Sequence, residues 1–319
     1  MEPTLAQNVG VDISKDFLDV AFYPAGETNR FANDVKGIRA LIKWLAPRPT
    51  ARVVFEATGA YHRLLERTLA KAGLPGVKVN PRQARRFAEL IGKFAKTDRC
   101  DAAKLAHMGA ALVLQARPIV SDTLDQMKEL ISARDALVKD RAAAVTRSHT
   151  LRSPMLKTQH GARLRQMDRQ IAAIENELKA LRRADPDVQA RYEILISIPG
   201  VGDVTAYVLI VEMSELGSLD PAQAACLAGV APLANDSGKS SGPRSIRGGR
   251  ARVREALYMA ALSASAHHPE YSVKYDAMVK AGKVKKVALV ALMRKLIILA
   301  NALLRDNRKW TAARPSGAL

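Results

Sequence analysis

The sequence contains few cysteines, few aromatic residues and few acids. Two cysteines in 319 residues are too few for a disulfide framework or a structural zinc site. Aromatic residues make up only 5% of the chain, so we do not expect base stacking on exposed rings to dominate binding. Asp and Glu total 31 against 50 Lys and Arg, which gives a formal net charge of +19. This excess predicts a polyanionic partner, with nucleic acid first and an anionic membrane surface as the alternative.

Long hydrophobic runs and a targeting segment are also missing from the sequence. The stretch MEPTLAQNVGVDIS at the start has neither the basic segment nor the long apolar segment of a signal peptide. The most apolar stretch, residues 287–304, is interrupted by Arg294, Lys295 and Asn301, so it predicts a packed helix. We therefore expect a cytoplasmic protein that is not associated with a membrane.

The hydrophobic pattern predicts three regions. Residues 5–115 alternate between apolar strands and amphipathic helices, which indicates an α/β domain that opens with a β-hairpin. Residues 120–190 have apolar positions at alternating spacings of three and four, which predicts two long helices joined near Ser153 and Pro154. These helices could form an antiparallel hairpin, a dimerising coiled coil, or a face packed on their own chain. Residues 192–310 predict a compact helical domain.

Four acids in the first region stand in suggestive positions. Asp12 and Glu56 lie at the ends of apolar strands, whereas Asp98 and Asp101 are three residues apart and share one face of a predicted helix. An unpaired buried carboxylate is costly, so acids on apolar strands of a basic protein need a reason. Carboxylate oxygens are ligands of Mg²⁺, which often binds substrate phosphates at the same time. Each acid alone could instead cap a turn or a helix, or pair with a neighbouring Lys or Arg.

Residues 234–250, ANDSGKSSGPRSIRGGR, place Ser237 in a segment rich in glycine, serine and basic residues. The basic residues that follow Ser237 without an intervening acid are Lys239, Arg244, Arg247, Arg250, Arg252 and Arg254. Composition alone favours a flexible phosphate-binding linker here, and the alternative is a loop that holds a nucleophilic serine against a phosphate. A serine needs a base, a lowered pKa or a metal to become a nucleophile, and no histidine is near Ser237 in sequence.

A second glycine motif, IPGVGDVTA, contains Gly200 and Gly202. It is similar to the turn of a helix-hairpin-helix module, in which backbone N–H groups bind a DNA phosphate. The alternative is a tight turn that needs glycine for a positive φ.

Taken together, these motifs resemble the DEDD transposases of insertion sequence family 110, to which the Piv-type DNA invertases also belong. GVDISKDFLDV, VVFEATGAYHRLLERTLAKAG and KTDRCDAAKLA are similar to the RuvC-like half of these enzymes. ISIPGVGDVTAYVLIVEM and CLAGVAPLANDSGKSSGPRSIRGGRARVREALYMAAL are similar to the C-terminal transposase domain. The similar blocks cover about residues 5–110 and 192–310.

The resemblance implies a RuvC-like, RNase H-like fold for the first domain. It also implies a coiled coil used in assembly and a bridge RNA, encoded by the element, that chooses donor and target DNA. The DEDD acids map onto Asp12, Glu56, Asp98 and Asp101, and the nucleophilic serine maps onto Ser237. We therefore predict a DNA recombinase in which Mg²⁺, held by the acids, activates Ser237 to form a phosphoserine intermediate.

Two other functions are open at this point. A metal-dependent, junction-resolving endonuclease would use the acids alone, and only the recombinase would form a protein–DNA adduct. A non-catalytic nucleic-acid-binding protein would explain the charge but not the placement of the acids. Because recombination breaks and joins several strands, we expect a homo-oligomer, either a dimer or a tetramer. The acids and the serine of one active site could then come from different subunits.

Overall fold

The computed structural model describes residues 7–56, 59, 61–92, 98–114, 121–237, 240–242 and 244–312. The chain divides into two compact units, Met1–Ile119 and Val120–Leu319. The first unit is mixed α/β and the second is mostly helical, which confirms the expected fold class at this level. Lys239 and the side chain of Asp98 lie outside the described residues, so the roles expected for them stay predictions.

The first unit is built on a five-stranded sheet in the order β3-β2-β1-β4-β5. The strands are β1 (Gln7–Ile13), β2 (Phe17–Tyr23), β3 (Thr28–Ala32), β4 (Thr50–Glu56) and β5 (Gly76–Val79). β1, β2 and β3 are antiparallel neighbours, whereas β4 runs parallel to both β1 and β5. The β1–β2 pair is the predicted hairpin. β3 has no counterpart among the predicted strands, because TNRFA carries a single large apolar side chain and is largely exposed.

Helices cover both faces of this sheet. They are α1 (Val35–Leu45), α2 (Arg63–Lys71), α3 (Pro81–Leu90) and α4 (Asp98–Ala111). One apolar cluster joins α1 and α2 to the sheet through residues that include Val11, Ile38, Leu41, Phe55 and Leu65. The cluster on the other face joins α3 and α4 to the sheet through residues that include Val54, Val79, Phe87, Leu105 and Met108. The α3–α4 face carries the acids described below.

The second unit consists of helices and two short β-ladders. The helices are α5 (Asp122–Ser148), α6 (Pro154–Ala184), α7 (Pro186–Ile196), α8 (Asp203–Glu212), α9 (Pro221–Leu227), α10 (Ala251–His267), α11 (Pro269–Lys280) and α12 (Lys285–Arg305). The strands are β6 (Pro232–Leu233), β7 (Asp236–Ser237), β8 (Ser240–Ser241) and β9 (Ser245–Ile246). β6 pairs with β9, and β7 pairs with β8.

The helices α5 and α6 form an antiparallel hairpin, one of the alternatives that the sequence leaves open. Arg134 of α5 is paired with Glu175 of α6 at 2.8 Å, and Arg141 is paired with Asp168, so the two helices run in opposite directions. Met127 of α5 is fully buried in the same apolar cluster as the helices from α7 onward. The hairpin is therefore anchored on its own chain, and its use as a coiled coil in assembly stays a prediction.

Among the described helices, α12 is long and apolar enough to cross a membrane, but half of its most apolar window is buried inside the protein. Leu292, Leu296 and Ile297 are buried in the core of the second unit. Asn301 is also buried. Its amide accepts a hydrogen bond from the Gly217 N–H at 2.8 Å and donates one to the Leu219 carbonyl at 2.7 Å. These contacts confirm the packed helix predicted for residues 287–304.

Candidate functional site

Asp12 and Glu56 lie at the ends of adjacent central strands. β1 and β4 are parallel, and Gly10 lies opposite Val54. Two residues further along each strand, Asp12 and Glu56 therefore lie side by side. Side chains alternate between the faces of a strand, so Glu56 points to the same face as Val54. Because Val54 packs in the cluster with α3 and α4, Glu56 faces those helices.

Gly10 allows α4 to lie directly on β1 at this point. A Cβ atom on Gly10 would stand 1.9 Å from the carbonyl oxygen of Ala102 and 2.4 Å from the backbone nitrogen of Ala106. Residues other than glycine would therefore push α4 away from the strand. Asp12 is on the same face of β1 as Gly10, and Asp101 directly precedes Ala102, so this close approach brings Asp101 towards Asp12.

The electrostatics of Glu56 show that the three carboxylates influence one another. Partial burial raises the pKa of Glu56, and the negative charges of Asp12 and Asp101 raise it further, while the nearby Arg85 opposes the shift. Asp101 also forms an ion pair with the buried Lys104 at 2.8 Å. All three acids line one cleft of about 1000 Å³. The structure thus brings Asp12, Glu56 and Asp101 together, as expected.

The acids of the cleft have the chemistry of a site for a hard cation. They offer only carboxylate oxygens, which suit Mg²⁺. Asp98 begins α4, three residues before Asp101, on the element that the sequence predicts for it. Within the described residues, no group of three or more His, Cys, Asp or Glu side chains is arranged closely enough to hold a metal ion by itself.

Ser237 lies in the second unit, on a paired strand. β7 and β8 place Asp236 opposite Ser241 and Ser237 opposite Ser240, and both residues of β7 are exposed. The strands of the β6–β9 ladder flank the β7–β8 ladder in sequence. Between the two ladders, the Gly242 N–H donates a hydrogen bond to the Asn235 carbonyl at 3.1 Å. We call the described residues between 232 and 246 the serine hairpin. Its pairing replaces the unstructured linker that composition alone favours.

The arginines that follow the serine hairpin have partners within the second unit. Arg250 donates two hydrogen bonds to Glu215, at 2.9 and 2.7 Å, and these bonds raise the pKa of its guanidinium. Arg252 pairs with Asp135 at 3.2 Å and with Glu212 at 3.3 Å.

Arg254 donates to the Gly248 carbonyl at 2.7 Å. By contrast, Arg244 and Arg247 are exposed on the serine hairpin and beside it. Arg250 and Arg252 therefore have a structural role that the sequence does not show, because their acidic partners lie far away in the chain. Arg244 and Arg247 are better placed than these two for a phosphate.

The division between arginines that are paired within the protein and arginines that are exposed predicts different consequences for two substitutions. Arg250→Ala should lower the free energy of unfolding by about 2 kcal/mol, because Glu215 loses a charged hydrogen-bond partner. Arg247→Ala should leave stability unchanged and weaken DNA binding, with the slope of log K against log salt reduced by about 1. Urea denaturation and DNA binding at several salt concentrations measure both effects. Equal losses of stability in the two variants would contradict the division.

The turn between α7 and α8 uses its two glycines differently. Gly200 has φ of +83°, and a Cβ atom there would stand 2.3 Å from the Ala260 carbonyl oxygen of α10. Gly202 is exposed and is the N-cap residue of α8, with a φ of −97°. A Cβ atom on Gly202 would stand in open space. Asp203, next in the chain, accepts a hydrogen bond from the Tyr192 hydroxyl at 2.8 Å. Burial, and to a smaller extent this hydrogen bond, raises the pKa of Tyr192 to about 12.

Gly200 therefore allows the turn to pack on α10, and its expected contact with a phosphate stays a prediction. Gly200→Ala should destabilise the protein by about 3 kcal/mol, because it combines backbone strain with overpacking. Gly202→Ala, the matched control, should cost about 1 kcal/mol or less, since only the N-cap preference changes. Thermal denaturation compares the two, and similar melting temperatures would show that the turn is not packed on α10 as described.

Comparison with known proteins shows which families this chain is similar to. The family model for the DEDD transposase of IS110 elements matches residues 9–158, and the model described as "Transposase IS116/IS110/IS902 family" matches residues 192–276. Pilin gene-inverting proteins of Moraxella lacunata and Moraxella bovis are each 29% identical over 316 residues, which cover 95% of this chain and 97% of theirs. An insertion element IS110 protein of Streptomyces coelicolor is 34% identical over 148 residues, or 46% of this chain and 35% of that protein.

Proposed function

The chain belongs to the IS110 family of transposases, and we propose that it cuts and rejoins DNA through a phosphoserine intermediate at Ser237. The observation that carries the proposal is the convergence of Asp12, Glu56 and Asp101 in one cleft of the first unit. Relatives named for the inversion of a pilin gene align over nearly the whole chain. Because an inversion must reseal each DNA end that it cuts, this likeness supports a recombinase over a nuclease that only hydrolyses DNA.

We propose a RuvC-like, RNase H-like role for the first unit. Acids at the ends of two central strands, with a third on the helix packed across them, support this assignment. Asp12, Glu56 and Asp101, together with Asp98, would hold Mg²⁺. The bound ion would stabilise negative charge on the phosphate oxygens and favour the deprotonated form of an attacking hydroxyl. The acids themselves would orient the scissile phosphate through that ion.

Ser237 acts as the nucleophile in this proposal. Its Oγ attacks the scissile phosphorus and loses its proton, while the bond from phosphorus to one deoxyribose oxygen breaks and that oxygen gains a proton. In the joining step a hydroxyl at another DNA end attacks the phosphoserine, and the serine oxygen leaves with a proton. One phosphodiester is exchanged for another, so no cofactor for energy is needed. The exposure of Ser237 on a paired strand supports access to a bulky DNA backbone.

Arginines beside the serine would stabilise the reacting phosphate. A pentavalent phosphorus carries additional negative charge, and preorganised cations near it lower the barrier. Arg244 and Arg247 are exposed close to Ser237 in sequence, and neither contributes to the ion pairs that fix Arg250 and Arg252.

We further propose donor DNA, target DNA and a bridge RNA as the partners, and a homo-oligomer, either a dimer or a tetramer, as the active form. The formal net charge of +19 supports polyanionic partners. Exchange of several strands requires several active sites, which supports the oligomer. Such a protein would act in the cytoplasm at the nucleoid.

Covalent capture tests the proposed function. The nucleic acid that copurifies with the protein is first sequenced, so that matching DNA substrates can be supplied. End-labelled DNA is then incubated with the protein, Mg²⁺ and that nucleic acid, and denaturing electrophoresis separates free DNA from protein-bound DNA. We expect label on the protein and, after nuclease digestion, a nucleotide on the Ser237 peptide by mass spectrometry. Metal-dependent cleavage without any attached label would instead identify a junction-resolving endonuclease.

A further inference from the structure

The helix α3 forms a basic wall of the cleft that contains the acids. Arg82, Arg85 and Arg86 line this cleft together with Asp12, Glu56 and Asp101. All three arginines are exposed. We call these three residues the α3 arginines. Negative charge at the strand ends thus faces positive charge on a helix across one cavity.

The α3 arginines form no ion pair or side-chain hydrogen bond within the described part of the chain. Arginines elsewhere in the protein do: Arg30 pairs with Asp19 at 2.8 Å, and Arg250 with Glu215 at 2.7 Å. Arg85 is close enough to lower the pKa of Glu56, although burial and the other acids outweigh it. The two sets of charges therefore influence each other without pairing, which leaves the guanidinium groups available for a ligand.

Stability of α3 does not explain these arginines. The N-terminal end of a helix carries a partial positive charge and favours acids, yet the first turn of α3 contains Arg82 and no acid. The helix is instead started by Asn80, whose side chain accepts a hydrogen bond from the Arg82 N–H at 2.9 Å, and by Pro81. The charge of Arg82 opposes the helix dipole, and none of the α3 arginines has an ion-pair partner in the described part of the chain, so we look to an external anion for their role.

We propose that the α3 arginines bind the phosphate backbone of the DNA strand beside the point of cleavage. This inference rests on the proposed function, because the cleft with the metal-binding acids is where the scissile strand must lie. Guanidinium groups bind phosphate oxygens through paired hydrogen bonds, and Arg82 and Arg86 are one helical turn apart, so they can bind successive positions along a strand. The arginines would offset the repulsion between that strand and the three acids.

Charge variants of α3 in the full-length protein test this binding site. Arg82 and Arg86 are both replaced by Gln, and binding of a labelled DNA duplex of mixed sequence is measured in EDTA at several salt concentrations. We expect the slope of log K against log salt to fall by about 1.8, or about 0.9 for each lost phosphate contact. Arg39→Gln is the matched control, because Arg39 is exposed on α1, on the opposite face of the sheet. Its slope should stay close to that of the wild type.

Glu89→Gln supplies a test of the opposite sign. Glu89 is exposed on α3 and lines the same cleft, so its negative charge should repel the strand. Its removal should tighten DNA binding. Thermal denaturation verifies that each variant is folded. Slopes that are equal for the double variant and for Arg39→Gln would overturn the proposal.

A change of slope with an RNA duplex but not with the DNA duplex would also overturn it, because the site would then be for RNA. These measurements need neither Mg²⁺ nor chemistry at Ser237. The proposed recombinase function can therefore fail in covalent capture while the α3 site is supported, and the reverse outcome is equally recognisable.

Discussion

Ser237→Ala is expected to abolish recombination and covalent attachment to DNA while DNA binding is retained. Removal of a nucleophilic serine in a protease lowers the rate by about 10⁶-fold, so activity here should fall below detection. Binding should persist, because an exposed hydroxyl on β7 contributes little beside the basic residues. The measurements are covalent capture, recombination of a two-site substrate and DNA binding in EDTA. A variant that still recombines DNA would show that Ser237 is not the nucleophile.

Other serines of the serine hairpin serve as controls for this assignment. Ser245 is exposed on β9, and Ser240 lies opposite Ser237 in the β7–β8 ladder. Ser245→Ala and Ser240→Ala should each retain covalent attachment. If attachment disappeared in one of them and survived in Ser237→Ala, the nucleophile would be that serine and not Ser237. Ser237→Cys adds a chemical test, because a thiol at the same place should attach the DNA through a sulfur–phosphorus bond and not through an oxygen–phosphorus bond.

The elements that are readable from the sequence are those with long periodic patterns or strong boundary residues. α6 begins at Pro154 and α12 ends at Arg305, close to the predicted bounds, because apolar spacing and helix-breaking residues are local signals. The strands of the serine hairpin are two residues long, so they carry no periodicity. Their pairing depends on contacts that composition cannot show, and composition alone therefore favours a linker.

The candidate site was predictable in its residue types but not in its construction. The motif resemblance identifies Asp12, Glu56 and Asp101, and the structure places all three in one cleft. The cause of their proximity is Gly10, which looks like an ordinary strand residue until the position of α4 is known. Arg250 shows the opposite case. The sequence groups Arg250 with the arginines expected to bind phosphate. Its partner Glu215 could not be predicted, because it lies 35 residues away in the chain.

Replacing Glu56 by Gln should lower activity and raise stability at the same time. Loss of a residue that only orients a metal ligand costs about 10- to 100-fold, so loss of a ligand should exceed about 100-fold. Asp12→Asn should likewise remove activity and its dependence on metal. For stability the sign follows from the pKa of Glu56, which burial and the charges of Asp12 and Asp101 raise above the ordinary value of 4.5.

A carboxyl whose pKa is raised on folding contributes stability below its unfolded pKa and loses that contribution as pH rises through its folded pKa. Charged Glu56 therefore destabilises the metal-free protein at neutral pH, and a neutral Gln removes this penalty. In EDTA the variant should have the higher Tm at pH 7, and the difference should disappear below about pH 4.5. Thermal denaturation across this pH range measures the effect.

Glu66→Gln is the matched control, because Glu66 belongs to the same unit but pairs with Lys78 at 2.9 Å. Removing its charge should leave Tm unchanged or lower, and activity intact. Mg²⁺ should raise the Tm of the wild type and of Glu66→Gln, since a ligand that binds only the folded state stabilises it. The same addition should have little effect on Glu56→Gln. A fall in Tm for Glu56→Gln at pH 7 in EDTA would contradict the raised pKa of Glu56, and with it the burial and the charge repulsion that raise it.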